Sequence, residues 1–398
     1  VEDSEESVLS QIFSKISGTS RSKIASLIGN SLDCESIYSF KNFLDSLEIS
    51  NYDCRQDNSF FIPNQRSSYI FNSSIAGIDE SDLCILVGTD IKKEAPILSS
   101  RIRQRYNRHD NIYQVLRVGE PYKVNFPVHE LGSKPENLRL LLDKKDSFFK
   151  KFKKPMIIIG QGALCREDSE SIFSLCQSII AKFSPSSGWN GLNVLQTYSG
   201  RVGALDLNFY NKKNVTKNNL VEKIYSGYFE VLYLLCADEI DVNKIPEKTF
   251  VIYQGHHGDE SAKRADVVIP TSCFTEKEGI YVNLEGRPQI SRQIKMPLPE
   301  ILHSYEFFNL LLKKFKIQTK LNNIESIRQA MFKCHPHLSK INQIYKEKKA
   351  INKCLMNKLN NSLIKSNIRN FYKTDSVSRV SPTMALCSQN FYGQSNAS

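Results

Sequence analysis

From Gln254 to Gln289 the chain reads QGHHGDESAKRADVVIPTSCFTEKEGIYVNLEGRPQ, 36 positions that hold His256, His257, Asp259, Cys273, Glu276, Asn283, Glu285 and Arg287, with Gly255, Gly258 and Gly286 among them. Imidazoles and carboxylates at this density could bind a metal ion or move protons. Adjacent histidines point in different directions on any regular backbone, so an ion shared by His256 and His257 needs a loop and further ligands. The nearby acids do not form a tidy ligand set, and histidines that hydrogen-bond the loop after a strand are the favoured reading. Cys273 and Cys165 have no His–Asp constellation that sequence alone assigns to them, and packing accounts for both. The glycines suit tight loops at strand ends. Asp266, Glu276, Glu285 and Arg287 are expected to tie those loops together, because buried charges are paired. No catalytic residue, no cofactor-binding residue and no metal ligand is assigned.

The elements around this stretch alternate short apolar runs with amphipathic ones. Strands are expected over 22–29, 82–90, 113–119, 231–239, 249–255 and 266–270. Helices are expected over 34–47, 94–107, 136–152, 166–183 and near 304–315. PMIIIGQGAL (155–164) restarts the pattern with a strand and a glycine turn. GQGALC (160–165) stands where a dinucleotide fingerprint would stand, but Cys165 replaces the third glycine, so a plain tight turn is favoured over a phosphate contact. Continuous β-branched strands between helices imply parallel sheets covered on both faces. The expected fold class is α/β: two successive doubly wound units, 1–154 and 155–310, followed by a basic, partly helical tail over 311–398.

Charge separates that tail from the body. Residues 311–398 carry 16 Lys or Arg against three acids, which leaves 37 basic against 39 acidic residues in 1–310. A basic tail serves an acidic protein neighbour as well as it serves nucleic acid, and no RNA-reading or helix-turn-helix motif accompanies it. No nucleic-acid partner is expected. The ten cysteines include no CxxC, so the spacings of an iron–sulfur or zinc-ribbon site are absent, and a reducing compartment fits. No apolar run approaches the ~20 residues of a membrane span. The opening VEDSEES begins at Val1 and is unlike a transit peptide, so any targeting segment is expected to have been removed.

ADVVIP (265–270) followed by Glu276, Gly279, Asn283, Glu285, Gly286 and Arg287 at fixed offsets resembles the stretch shared by molybdopterin oxidoreductases of the formate dehydrogenase and nitrate reductase type. YQGHHGD (253–259) and YVNLEGRPQ (281–289) are similar to the carboxyl-terminal half of the large iron–sulfur (75-kDa) subunit of respiratory complex I. The similarity extends to 72–106, HELG (129–132), KKPMIIIGQGAL (153–164), GALDLNF (203–209) and the tail 370–388; residues 316–369 do not follow it. The resemblance implies a molybdopterin-enzyme fold that has lost its cofactor and braces the peripheral arm of NADH:ubiquinone oxidoreductase. Gly255, His256, His257, Gly258, Asp259, Glu276, Asn283, Glu285, Gly286 and Arg287 are then the relic of a cofactor scaffold. It further implies iron–sulfur clusters on a separate partner chain, a split subunit, other complex I subunits as neighbours, and a place on the matrix side of the mitochondrial inner membrane with membrane contact only through the complex. The rival expectations are an active molybdenum or tungsten pterin oxidoreductase, which would need a metal-ligating residue that is not visible here, and a non-redox scaffold whose tail binds nucleic acid.

Overall fold

A computed structural model describes residues 3–108, 113–183, 188–211, 219–345, 358–368 and 370–393. Among them the chain forms β1 (Ile24–Ile28), β2 (Tyr52–Asp53), β3 (Leu83–Val87), β4 (Gln114–Val118), β5 (His129–Gly132), β6 (Pro155–Ile159), β7 (Leu192–Val194), β8 (Val231–Leu235), β9 (Phe250–Gly255), β10 (Val267–Pro270), β11 (Gly279–Val282) and β12 (Pro288–Ser291). Two five-stranded parallel sheets result, ordered β10-β9-β8-β1-β2 and β5-β4-β3-β6-β7, with β11 and β12 as an antiparallel hairpin. The class is α/β, as expected.

The central strands IASLI, LCILV, PMIII and VLYLL are buried along their whole length. Side chains alternate between faces, and each face needs its own cover. Ile24 and Ile28 of β1 enter one core while Ala25 and Leu27 enter another. Leu83, Ile85 and Val87 of β3 likewise separate from Cys84 and Leu86. Helices supply the cover. Phe40 and Phe43, on the helix Cys34–Ser46, stack on Phe308 of the helix Ser304–Lys314 with ring centroids 5.0 and 5.5 Å apart.

The expected boundary at 154/155 does not separate the sheets. β6 begins at Pro155 and pairs with β3, while β1 and β2 share a sheet with β8, β9 and β10. The second sheet is thus an insertion between β2 and β8. Pro155 marks a strand start, where a missing N–H is tolerated, and the renewed apolar pattern is a return to the same sheet. Periodicity shows that a segment is a strand, not which strand it joins.

The expected tail also begins later than residue 311. Leu311, Leu312, Ile327, Met331 and Leu338 are buried, all but Ile327 within the first core, and Ile327 and Met331 stand on a helix, Ile324–Cys334, that Asn323 caps. The expected helix over 136–152 is two short ones, Glu136–Leu142 and Asp146–Phe149, separated by the charged Asp143, Lys144 and Lys145.

Each sheet has one place where the chain departs to both sides. In the first it lies between β1 and β8, in the second between β3 and β6. Loops leaving the carboxyl ends of those strands diverge and open a crevice, which is where doubly wound sheets take ligands.

Candidate functional site

The crevice of the first sheet holds half of the singled-out stretch. A cavity of about 530 Å³ opens at the strand ends, lined by Asn30, Cys236 and His256, by Tyr198 from the segment after β7, and by Asp375 and Met384 of the tail. His256 and His257 follow β9, and their Nδ1 atoms lie 2.6 Å apart, so one donates and the other accepts. Burial pushes both imidazoles below their ordinary pKa, with Lys277 adding to the effect at His256 and His256 adding to it at His257. The carbonyl of His257 accepts from the Tyr253 hydroxyl at 3.1 Å. Asp259 starts the helix Glu260–Arg264 and accepts from the Glu260 amide at 2.9 Å; its other oxygen takes Arg379 Nε at 2.5 Å. Asp238 accepts from the Tyr253 hydroxyl at 2.8 Å, and burial lifts its carboxyl to about 6. Glu239 accepts from Gln56 Nε2 at 2.8 Å and is likewise raised by burial. Glu276 closes its own turn by accepting from the Cys273 amide at 3.0 Å.

The other half of the stretch is elsewhere. Asn283, Glu285, Gly286 and Arg287 form the turn between β11 and β12. Asn283 Oδ1 accepts from the amides of Glu285 and Arg287, both at 3.0 Å. Glu285 accepts from the Ile75 amide at 2.7 Å and meets Arg287 at 3.4 Å, while Arg287 reaches the Asn342 carbonyl at 2.8 Å. Gly286 has φ +77° and offers its carbonyl to Arg66 Nη2 at 2.7 Å. A Cβ on Gly286 would lie 2.8 Å from that guanidinium. Gly258 has open space around it, and Gly255 ends β9, its carbonyl accepting from the Thr271 amide at 3.1 Å. The ten residues therefore divide between a crevice and a structural turn; they do not make one constellation.

The crevice of the second sheet is already filled. GQGALC forms one helical turn, Gln161–Leu164, and a Cβ on Gly162 would lie 2.0 Å from the Lys365 carbonyl oxygen. Glycine is needed there because the tail passes against it, not because a phosphate does. Ile364 is fully buried in the core below β3 and β6. Its amide donates to the Ser133 carbonyl at 2.8 Å and its carbonyl accepts from the Glu120 amide at 2.9 Å.

Sequence reasoning missed several charged groups. Lys277 is buried on Asp33 at 2.5 Å, Arg201 on Asp57 at 3.1 Å, and Arg55 on Asp53 at 2.8 Å. Arg379 was also missed, although DSVS (375–378) carries the signal of a capped helix start just before it: Asp375 accepts from the Val377 and Ser378 amides, both at 3.0 Å. No group of three His, Cys, Asp or Glu that could hold a metal ion occurs among the described residues. Burial raises the thiols of Cys34, Cys54, Cys84, Cys165, Cys176 and Cys236, which suits packing rather than nucleophilic chemistry. No described helix is long and apolar enough to cross a membrane.

Residues 6–314 match the family model described as molybdopterin oxidoreductase. The chain belongs to that family. Residues 342–387 match a second model, for the carboxyl-terminal part of the NADH-ubiquinone oxidoreductase G subunit, so 342–369 follow the family after all, against the expectation that 316–369 would not. Among curated relatives, the NADH-quinone oxidoreductase G subunit of Rickettsia felis is 35% identical over 97% of this chain and 56% of its own length. The NADH-ubiquinone oxidoreductase 75 kDa subunit of Reclinomonas americana is 36% identical over 92% of this chain and 55% of its own. The mitochondrial 78 kDa subunit of Candida albicans is 36% identical over 97% and 54%. The chain thus spans about half the length of these relatives. A chain of the formyltransferase/hydrolase complex (FhcABCD) of Methylorubrum extorquens superposes with a TM-score of 0.58 over 78% of this chain and 97% of that one; at 13% identity the likeness is of fold alone.

The family implies a pterin cofactor. Against an anionic group of that kind stand the carboxylates of Asp238, Glu239 and Asp259 near Arg379 in the first crevice, and in the second the backbone of Ile364 and Lys365 packed beside Gly162.

Proposed function

We propose that this chain is the bracing, non-catalytic half of the large subunit of NADH:quinone oxidoreductase. It supports electron transfer that iron–sulfur clusters on a partner chain carry out. The observation that carries this reading is the match of residues 342–387 to the carboxyl-terminal model of the NADH-ubiquinone oxidoreductase family, in a chain whose α/β body belongs to the molybdopterin oxidoreductase family. In this reading the chain holds no redox centre of its own, and His256, His257 and the turn around Asn283 hold loops in place. Its neighbours are other subunits of the complex, among them a separate chain bearing the iron–sulfur half. In this reading the chain lies in the peripheral arm on the matrix side of the inner membrane; the mitochondrial name of the Candida albicans relative supports the mitochondrial part of it. The exposed Ile294, Met296 and Leu298 after β12 are free for contacts within such an assembly.

Native electrophoresis of the source membranes, followed by mass spectrometry of the band that oxidises NADH, tests this. The chain is expected in that band together with a cluster-bearing partner. Its recovery only in a band that lacks NADH oxidation would overturn the proposal. The family match also defines the rival, an active molybdenum or tungsten pterin oxidoreductase, which predicts a molybdenum- or tungsten-containing band with formate-type activity.

A further inference from the structure

The carboxyl ends of parallel strands, with helix N-termini facing them, ordinarily attract anions. Both crevices of this chain reverse that preference. In the first, Asp238, Glu239 and Asp259 gather around Arg379, which meets Asp259 at 2.5 Å and the Asp238 carbonyl at 3.3 Å. Arg379 stands on the helix Ser376–Val380, which Asp375 caps, so its backbone is fixed before its side chain reaches in. Two further buried cations close by are already engaged, Lys277 by Asp33 and by Ser36 at 2.9 Å, and Arg201 by Asp57 at 3.1 Å. In the second crevice Ile364 is bonded on both sides like a strand residue. Arg166 grips the segment through the carbonyls of Asn360 and Leu363, both at 3.0 Å, and Asp168 accepts from the Asn360 amide at 2.8 Å. Ser366 donates to Glu94 at 3.3 Å.

We propose that the carboxyl-terminal residues 358–368 and 370–384 occupy both crevices, filling the second and walling the cavity of about 530 Å³ in the first, and that the carboxylate cluster beside that cavity is a guanidinium site held by Arg379 that disfavours phosphate-bearing ligands. A fixed cluster of carboxylates repels an anion and selects a planar, multiply donating cation. The segment thereby staples the inserted sheet to the sheet that encloses it. This reaches beyond the bracing role, and its readout lies within this chain, so its failure is distinguishable from a failure to co-migrate with an NADH-oxidising assembly.

The test is amide hydrogen exchange on the full chain in its native assembly, for wild type, Arg379→Ala and Ile364→Ala. A hydrogen-bonded charge pair predicts that Arg379→Ala speeds exchange over 375–384 by about tenfold or more. Exchange in β1, β3 and β8 and over 358–368 stays unchanged and reports an intact fold. Millimolar methylguanidinium is expected to restore protection in Arg379→Ala, and inorganic pyrophosphate to have no effect. Ile364→Ala is expected to speed exchange over 358–368 and at Glu120 while sparing 375–384. Unchanged exchange in Arg379→Ala, restoration by pyrophosphate instead of methylguanidinium, or wild-type exchange over 358–368 as fast as in an unstructured peptide would each overturn the proposal.

Discussion

Arg66 grips Asp206 across 140 positions of sequence, Nε to Oδ1 and Nη2 to Oδ2, each at 2.8 Å. The Tyr69 hydroxyl donates to the same carboxylate at 2.9 Å, His337 lies 3.2 Å from it, and Arg66 also holds the Gly286 carbonyl. One buried pair therefore joins the segment entering the inserted sheet, the helix Arg201–Asp206 and the β11–β12 turn. Breaking a buried pair from one side leaves an uncompensated charge, so Asp206→Asn or Arg66→Met is expected to cost about 3–5 kcal/mol. Urea denaturation measures this. The double variant should cost less than the sum of the singles; simple additivity would argue against direct coupling.

The same group sets an acid limit. Burial pushes the Asp206 carboxyl up, but Arg66 and His337 outweigh it and hold it at about 2, below its ordinary 3.8. Its contribution is fully present above 3.8 and is lost as pH falls through about 2. Stability should fall over that window, and Asp206→Asn should remove that part of the fall.

Glu94 acts in the opposite direction. Burial raises its carboxyl from 4.5 to about 7. The folded chain therefore binds a proton that the unfolded chain releases, so this contribution is fully present below 4.5 and is lost as pH rises through about 7. Glu94→Gln keeps an acceptor for the Asp90 amide and should be about 2–3 kcal/mol more stable than wild type at pH 8, with little difference at pH 4. Thermal melts at the two values decide the matter; an equal difference at both would contradict the titration.

Two glycines of one motif should behave differently. Gly286→Ala must place a Cβ at positive φ and against the Arg66 guanidinium, at a cost of about 1–3 kcal/mol. Gly258→Ala meets nothing within 4 Å and should be near neutral. Comparing their denaturation midpoints tests whether the stretch is structural at its turn and permissive in its loop.

Much of this was legible because the central strands are uninterrupted apolar runs, and parallel sheets covered by helices on both faces bury such runs. The topology was not, since β6 reads the same whether it opens a new sheet or completes one begun at β3. The site was half legible. His256, His257 and Asp259 stand out by type, and YVNLEGRPQ by its spacing. That the second group serves Arg66 and Ile75 depends on contacts over 200 positions apart. Arg379 lay in a polar segment where nothing in local pattern distinguishes a crevice-filling arginine from an exposed one.

If the histidines only support a loop, His256→Ala/His257→Ala should keep NADH-to-quinone turnover of the assembly nearly unchanged. Loss of a general acid–base group would lower it by about 100-fold or more. Steady-state turnover distinguishes these outcomes.

The central claim, a molybdopterin-enzyme fold bracing a complex without the cofactor, is tested most directly by elemental and pterin analysis of the purified native assembly. The account predicts iron assigned to partner chains, with molybdenum, tungsten and pterin all far below one per chain. Stoichiometric molybdenum or tungsten with a pterin bound to this chain would contradict it.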